Sequence, residues 1–495
     1  MDYLTKKLFG KSSEKRVFEI PGQMSIFNEA EAEADPSILI TEEEEALEPP
    51  KARKKKSLMA DKYKGLKVET VFLDIPEEEK TCAVCGTEME RIGKEFVRRE
   101  IRIIPAKVRM IEYYSYTYHC PKCEEMELPH IVKGKDGHYH MLHGMASAGT
   151  VAWIMYQKYR NGLPLYRQEK DWKAYGAPIS RATMASWVIS NAEDFFRPMF
   201  EYFRRKLIKR VFLMGDETPT QVLKEPNRRP ETQSYMWVFR TGEDEGPPII
   251  LYKYSETRAG DNAVSFLDGF SGYFMCDGYS GYNKLPNAKR CSCWAHVRRY
   301  LLDAVPKGKQ YDYSQPAVQG LLYVEQLFAA ERKIHQKHTD PDRIREERLK
   351  AEQKFLSGFF AWLDHQSPTR GSRLEKAVTY IRNRKPYLTT YLEDGRCSFT
   401  NNASERSVKP YVIGRKNWLF SDTPKGADSS ALVYSMVETA EANGVNVYYY
   451  LRYLLEKCPN ARMTDAELEE MAPWSESVKS ELHRMQQEDP DGSPT

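Results

Sequence analysis

The chain has 495 residues, with 74 Lys and Arg against 71 Asp and Glu and a net charge of +3. That length exceeds one ordinary hydrophobic core, so several structural units are expected. With 29% charged residues and no apolar run near about 20 residues, the composition excludes a membrane span, and the start of the chain has no apolar signal core, so a cytoplasmic location is expected.

In chain order, charge patterning comes first. Residues 28–48 hold nine acidic and no basic side chains, and residues 51–67 hold eight Lys and Arg against Asp61 alone. Few apolar groups offset the ordering entropy there, so 1–70 reads as a tail and linker, either solvated or used as a phosphate-binding arm. Residues 465–495 carry nine acids against two bases, which leaves about +19 on the rest of the chain. That balance suits a phosphate-binding body whose basic surface the acidic segments mask, so deleting them is expected to strengthen nonspecific nucleic-acid binding.

Nine cysteines without a signal peptide argue against a disulfide framework. Cys82 and Cys85, then Cys120 and Cys123, form two Cys-x-x-Cys knuckles. Each places two thiolates on one turn, and together they complete a tetrahedral structural zinc site, leaving no open ligand position. The alternating stretch between Arg98 and Tyr118 supplies strands, giving a zinc ribbon over 71–135. The histidines that follow, His130, His138, His140 and His143, read either as part of a polar loop or as ligands of a second metal.

A helical unit is predicted over 136–206. Leu165–Tyr175 is one helix, Gly176 its C-terminal cap, and Ser180 the cap of the next, Arg181–Asn191, which buries Met184, Trp187 and Val188. The pair reads either as a helix-turn-helix presenting Arg181 and Thr183 to a DNA groove or as an ordinary core hairpin.

The next stretch, 207–310, carries the chemistry. Strands are expected over Arg210–Asp216, Tyr235–Thr241, Pro248–Ser255 and Gly272–Cys276, then a helix over Asp261–Phe270 and a strand–helix pair within Cys291–Val305. The order β-β-β-α-β-α is that of a ribonuclease-H-like fold, in which the first and fourth strands are neighbours and bring Asp216 and Asp277 together. Carboxylates at adjacent strand ends repel each other, and a divalent cation resolves the repulsion. Glu405, in the first turn of a helix capped by Asn401 or Asn402, supplies a third carboxylate in 396–425. Such oxygen donors suit two Mg2+ or Mn2+ ions. Glu217 is expected to face away from Asp216. Residues 311–395 read as a helical insertion, and 426–495 as C-terminal helices with an acidic tail.

These motifs give the chain a specific resemblance. Leu8-Phe9-Gly10, the two cysteine knuckles, Gly162–Gln168, Gly215–Pro219, Asp277–Tyr282, Cys293–Arg299, Asn401–Arg406 and Gly414–Phe420 run in the order found in transposases of the insertion sequence 66 family, which are acidic-triad (DDE) enzymes. The resemblance implies that Asp216, Asp277 and Glu405 are catalytic and metal-binding. It further implies cleavage at element ends and 3′-hydroxyl strand transfer into target DNA, a bacterial, nucleoid-associated protein, a homo-oligomer on paired DNA ends, and small accessory proteins. The insertion then either contacts DNA ends or is architectural. Arg298, Arg299, Arg406, Lys409, Arg415 and Lys416 are candidates for phosphate contact. Trp418 reads either as a base-stacking platform or as core. The overall expectation is a multidomain α+β protein: a ribonuclease-H-like core of mixed sheet and flanking helices, split by a helical insertion, with a zinc ribbon and a helix-turn-helix-like unit.

Overall fold

The computed structural model describes residues 108–119, 131–133, 144–242 and 246–488. The charged N-terminal runs and Cys82, Cys85, Cys120 and Cys123 lie outside the described residues. Strands β1 (Thr117–His119) and β2 (Ile131–Lys133) form an antiparallel pair.

Four helices follow: α1 (Ala148–Tyr159), α2 (Leu165–Ala174), α3 (Arg181–Asn191) and α4 (Arg197–Leu207). Gly176, at φ 86°, ends α2 with paired bonds from the Gly176 N–H to Lys173 O and from the Ala177 N–H to Trp172 O, 3.1 and 3.0 Å long. Ser180 accepts the Thr183 N–H at 3.1 Å and starts α3, which buries Met184, Trp187 and Val188 at helical spacing.

Five strands build a mixed sheet: β3 (Phe212–Gln221), β4 (Gln233–Thr241), β5 (Ile250–Ser255), β6 (Gly272–Cys276) and β7 (Ala288–Ser292). Their order is β5-β4-β3-β6-β7. β3–β4 and β4–β5 are antiparallel, while β3–β6 and β6–β7 are parallel. Helix α5 (Asp261–Phe266) links β5 to β6 and ends before Phe270, because Gly269 turns the chain at φ 86°. β3 runs beyond the apolar stretch that announces it. β4 pairs with it from Leu213↔Thr241 to Gln221↔Gln233, and this pairing holds the polar Asp216–Gln221 half extended.

After α6 (Trp294–Ala304) come α7 (Pro316–Lys337), α8 (Pro341–Ala351), α9 (Gln353–Asp364) and α10 (Arg373–Arg384). They share one apolar cluster with the sheet, in which Phe212, Met214, Met275 and Trp294 meet Phe359, Trp362 and Val378. Helix α11 (Asn402–Trp418) returns to β3.

The closing helices are α12 (Pro424–Ala442), α13 (Val447–Lys457), α14 (Asp465–Glu470) and α15 (Glu476–Glu488). α12 covers the outer edge of the sheet: Ser435 Oγ and Thr439 Oγ1 accept the backbone N–H groups of Tyr252 and Ile250 at 2.8 and 3.0 Å. Residues 465–488 are not a solvated acidic tail. Thr464 closes a capping box with Glu467. Asp465 and Glu469 pair with Arg205 and Lys206 on α4 at 2.6 and 3.2 Å, and Leu468, Val478, Leu482 and Met485 are buried. The charge count conceals an amphipathic pattern whose acids meet the basic C-terminal turn of α4.

Candidate active site

The parallel pairing of β3 and β6 sets Met214 beside Met275. Asp216 and Asp277 each lie two residues further on, so Asp216, midway along β3, and Asp277, just past the end of β6, stand level with each other. Gly215 permits the close approach: a Cβ there would stand 2.5 Å from the Phe274 ring. Asp216 is half-buried and accepts the Glu217 N–H at 2.8 Å. Asp277, also half-buried, accepts the Tyr279 N–H at 2.7 Å.

The third acid arrives on α11. Thr220 Oγ1 and Tyr411 OH, 2.7 Å apart, tie that helix to β3. Arg240 of β4 donates to Ala403 O at 2.9 Å and to Ser407 Oγ at 3.0 Å. The approach to the helix is fixed by bonds from the Asn401 N–H to Cys293 Sγ (3.1 Å) and from the Trp294 N–H to Phe399 O (3.2 Å). Glu405 in the first turn then has its Oε1 3.5 Å from His296 Nε2 and 3.9 Å from an Arg299 nitrogen. Burial, then Arg299, pushes His296 down to about 3. Its ring is neutral near pH 7, so the contact with Glu405 is polar rather than an ion pair.

The three acids form one electrostatic cluster. Burial, followed by the charges of Glu217, Asp277 and Glu405, pushes the Asp216 carboxyl well above the usual carboxylate range. Glu217 is the member whose place in this cluster the sequence did not reveal. It is buried, and its own carboxyl is raised by burial and by Asp277, against hydrogen bonds from Tyr282 and Arg258. Strand alternation set it apart from Asp216, yet its charge helps to raise the Asp216 carboxyl and its partners come from loops far along the chain.

The expected basic groups divide. Arg299 stands beside Glu405. Arg298 turns instead to Glu325 of α7 at 2.6 Å. On α11, Arg406 and Lys416 are exposed and Lys409 is half-buried. Arg415 is half-buried too, and burial lowers its pKa below the ordinary value. Trp418 packs edge-on against Tyr159 with centroids 6.2 Å apart, under the Lys158 ammonium at 5.4 Å, so its ring is engaged in packing. Arg181 and Thr183 are exposed at the start of α3.

Among the described residues, no group of three His, Cys, Asp or Glu side chains stands in metal-holding geometry. The donor chemistry nonetheless fits a hard divalent cation. The cluster is of carboxylate oxygens, and around the start of α11 the side-chain oxygen and nitrogen of Asn401, Asn402 Oδ1, Ser404 Oγ and His296 Nδ1 are buried without a hydrogen-bond partner.

Comparison with known proteins bears on identity. Residues 143–429 match the Transposase IS66 family, 79–124 the zinc-finger binding domain of transposase IS66, and 435–474 the IS66 C-terminal element. The chain is also similar to two uncharacterized proteins of Sinorhizobium fredii (strain NBRC 101917 / NGR234). It is 27% identical to y4qI over 420 residues, covering 81% of this chain and 74% of that protein. It is 28% identical to y4jD over 417 residues, covering 81% and 79%. The family match spans more than half of the sequence, and the chain belongs to the IS66 family of transposases.

Proposed function

We propose that this transposase cuts DNA at the ends of an insertion sequence and joins the freed 3′ hydroxyl to target DNA, using Asp216, Asp277 and Glu405 as a metal-binding triad. The observation that carries the reading is the parallel β3–β6 register that sets Asp216 level with Asp277, with Glu405 of α11 near enough for its charge to help raise the Asp216 carboxyl. Carboxylates placed at such electrostatic expense are the mark of a functional site. The sheet order, three antiparallel strands followed by two parallel ones, supports a ribonuclease-H-like core, with α7 to α10 as its insertion.

Bound at these carboxylates, two Mg2+ or Mn2+ ions would polarise the scissile phosphate and activate the attacking oxygen. The chain's own residues do the rest. Arg299 and neutral His296 stand beside the Glu405 carboxylate and would orient it. Arg406, Lys409 and Lys416 place cations along α11 for the phosphates that flank the cut. Cys82, Cys85, Cys120 and Cys123, all within the zinc-finger match, would hold a structural zinc. Helices α2 and α3 would act as the helix-turn-helix that presents Arg181 and Thr183 to a groove. The protein would act as a homo-oligomer on paired ends, with small accessory proteins.

The test is cleavage of DNA carrying the flanks of the gene, in Mg2+, by purified protein. Asp216→Asn, Asp277→Asn and Glu405→Gln should each abolish cleavage while leaving DNA binding in place. Undiminished cleavage by Asp216→Asn would refute the triad. Cut products that are never joined to a target plasmid would make the protein a nuclease instead.

A further inference from the structure

We infer that Leu419 and Phe420 form an apolar wedge that unstacks a base step of bound duplex DNA near the strand being cut, an inference that rests on the DNA-cleaving reading above.

Strain is the first observation. Leu419 ends α11 at φ 67° and ψ −47°. Its N–H donates to Arg415 O at 2.7 Å, and the next N–H, of Phe420, donates back to Trp418 O at 2.8 Å. Leu419 is thus the centre of a γ-turn with positive φ, a strained conformation for a bulky side chain and an easy one for glycine. Strain of this kind persists only where the surroundings hold it, and it gathers at functional sites.

Both flanks are held. Trp418 is packed against Tyr159. Beyond Phe420, the Ser421 N–H donates to Gln221 O at 2.9 Å and the Leu223 N–H to Ser421 O at 3.0 Å, which pins the segment to the end of β3. The turn therefore projects two apolar side chains from a rigid base. Leu419 is 65% exposed and Phe420 43% exposed. Among the described residues, both side chains stay open to solvent.

Placement and charge favour nucleic acid as the occupant. Leu419 lies 14 residues after Glu405 on the same helix, about 21 Å at the helical rise. That is roughly six steps of duplex DNA. Arg406, Lys409 and Lys416 lie on the helix between them, and Lys158 sits beside Trp418. Leu419 and Phe420, with Ile413 the other exposed apolar side chain of the helix, make too small a patch for a stable protein interface. Leu and Phe are side chains that proteins insert between base steps, with cations on the adjoining phosphates.

The experiment uses the full chain and duplexes from the flanks of the gene, with 2-aminopurine placed at successive positions. The wild type should bind and raise the fluorescence at one step. Leu419→Gly and Phe420→Ser should lose that rise, cut at least about tenfold more slowly, and keep affinity within about threefold, because phosphate contacts carry the affinity. A mismatch at the responsive step should restore cutting. Leu419→Gly should also melt no lower than wild type, since it relieves the turn. Wild-type binding without any fluorescence rise, or an undiminished rise in both variants, would overturn the wedge while leaving the triad intact. Loss of self-association in the variants with normal unstacking would assign the tip to a second copy instead and overturn the wedge. Absence of DNA binding by the wild type would overturn the underlying reading along with it.

Discussion

Glu217 and Arg258 are joined through one carboxylate oxygen, which accepts from Arg258 Nε at 2.8 Å and Nη2 at 2.6 Å. The carboxylate is buried, while the Arg258 side chain is 44% exposed and lies 4.2 Å above the Tyr279 ring centroid. The other Glu217 oxygen accepts the Tyr282 hydroxyl at 2.5 Å, and the Tyr279 hydroxyl donates to Arg258 O. Tyr279 and Tyr282 belong to the segment that begins with Asp277. The acid next to Asp216 therefore clamps the loop that carries Asp277.

Arg258→Ala should leave that buried carboxylate with Tyr282 alone. The expected loss is about 2 kcal/mol, below the range for a fully buried ion pair because the guanidinium is partly solvated. Urea unfolding reads the stability. A higher Mg2+ requirement for cleavage would report the loosened Asp277 loop.

Asp216→Asn should stabilise the metal-free protein while removing activity. The Asp216 carboxyl is raised in the folded state, so the native protein keeps a proton that the unfolded chain gives up at about pH 4. Stability contributed by this group is present below that point and falls as pH rises through the folded value. The amide removes the penalty, so thermal melting above neutral pH should occur at higher temperature. Mg2+ should raise the melting temperature of the wild type and leave that of the variant little changed.

A second pH effect comes from Glu438 on α12. Burial, with Glu441 adding to it, pushes this carboxyl up to about 8 against the opposing Arg160 and Arg240. Between about pH 4.5 and 8 the native state binds the extra proton, so stability should decline across that window. Glu438→Gln should flatten the decline, as melting temperatures at pH 5.5 and 8 would show. An unchanged slope would remove Glu438 as its source.

Removing residues 465–495 should unfold the neighbourhood of α4 rather than merely unmask cations. Leu468, Val478, Leu482 and Met485 would leave the core, and Phe203 would lose the Trp474 ring 5.2 Å away. Four buried apolar side chains contribute about 6–12 kcal/mol of transfer free energy before entropy. Asp465→Asn combined with Glu469→Gln is the cleaner test of masking. It frees Arg205 and Lys206 and should tighten nonspecific duplex binding at low salt, with the gain vanishing as salt rises.

Much of the sheet and the acid cluster was legible in the sequence because short apolar runs end directly on Asp216 and Asp277. The extension of β3 was not legible. Pro219 reads as a breaker, yet β6 pairs with β3 only over Phe212–Met214, so the proline sits where that side of the ladder is open. The direction of Arg298 depended on where α7 would bring Glu325, which no local pattern encodes. The turn at Leu419 was hidden for a related reason, since nothing in Asn417–Ser421 announces positive φ and tertiary anchoring on both sides imposes it.

One consequence of the shared apolar cluster concerns how the protein comes apart. Phe359, Trp362 and Val378 of the helices lie in the same cluster as Phe212, Met214 and Met275. These helices cannot lift away without opening the floor beneath Asp216 and Asp277. Sheet and helices thus make a single unfolding unit, and protease nicking between α9 and α10 should silence the acids as surely as mutating them.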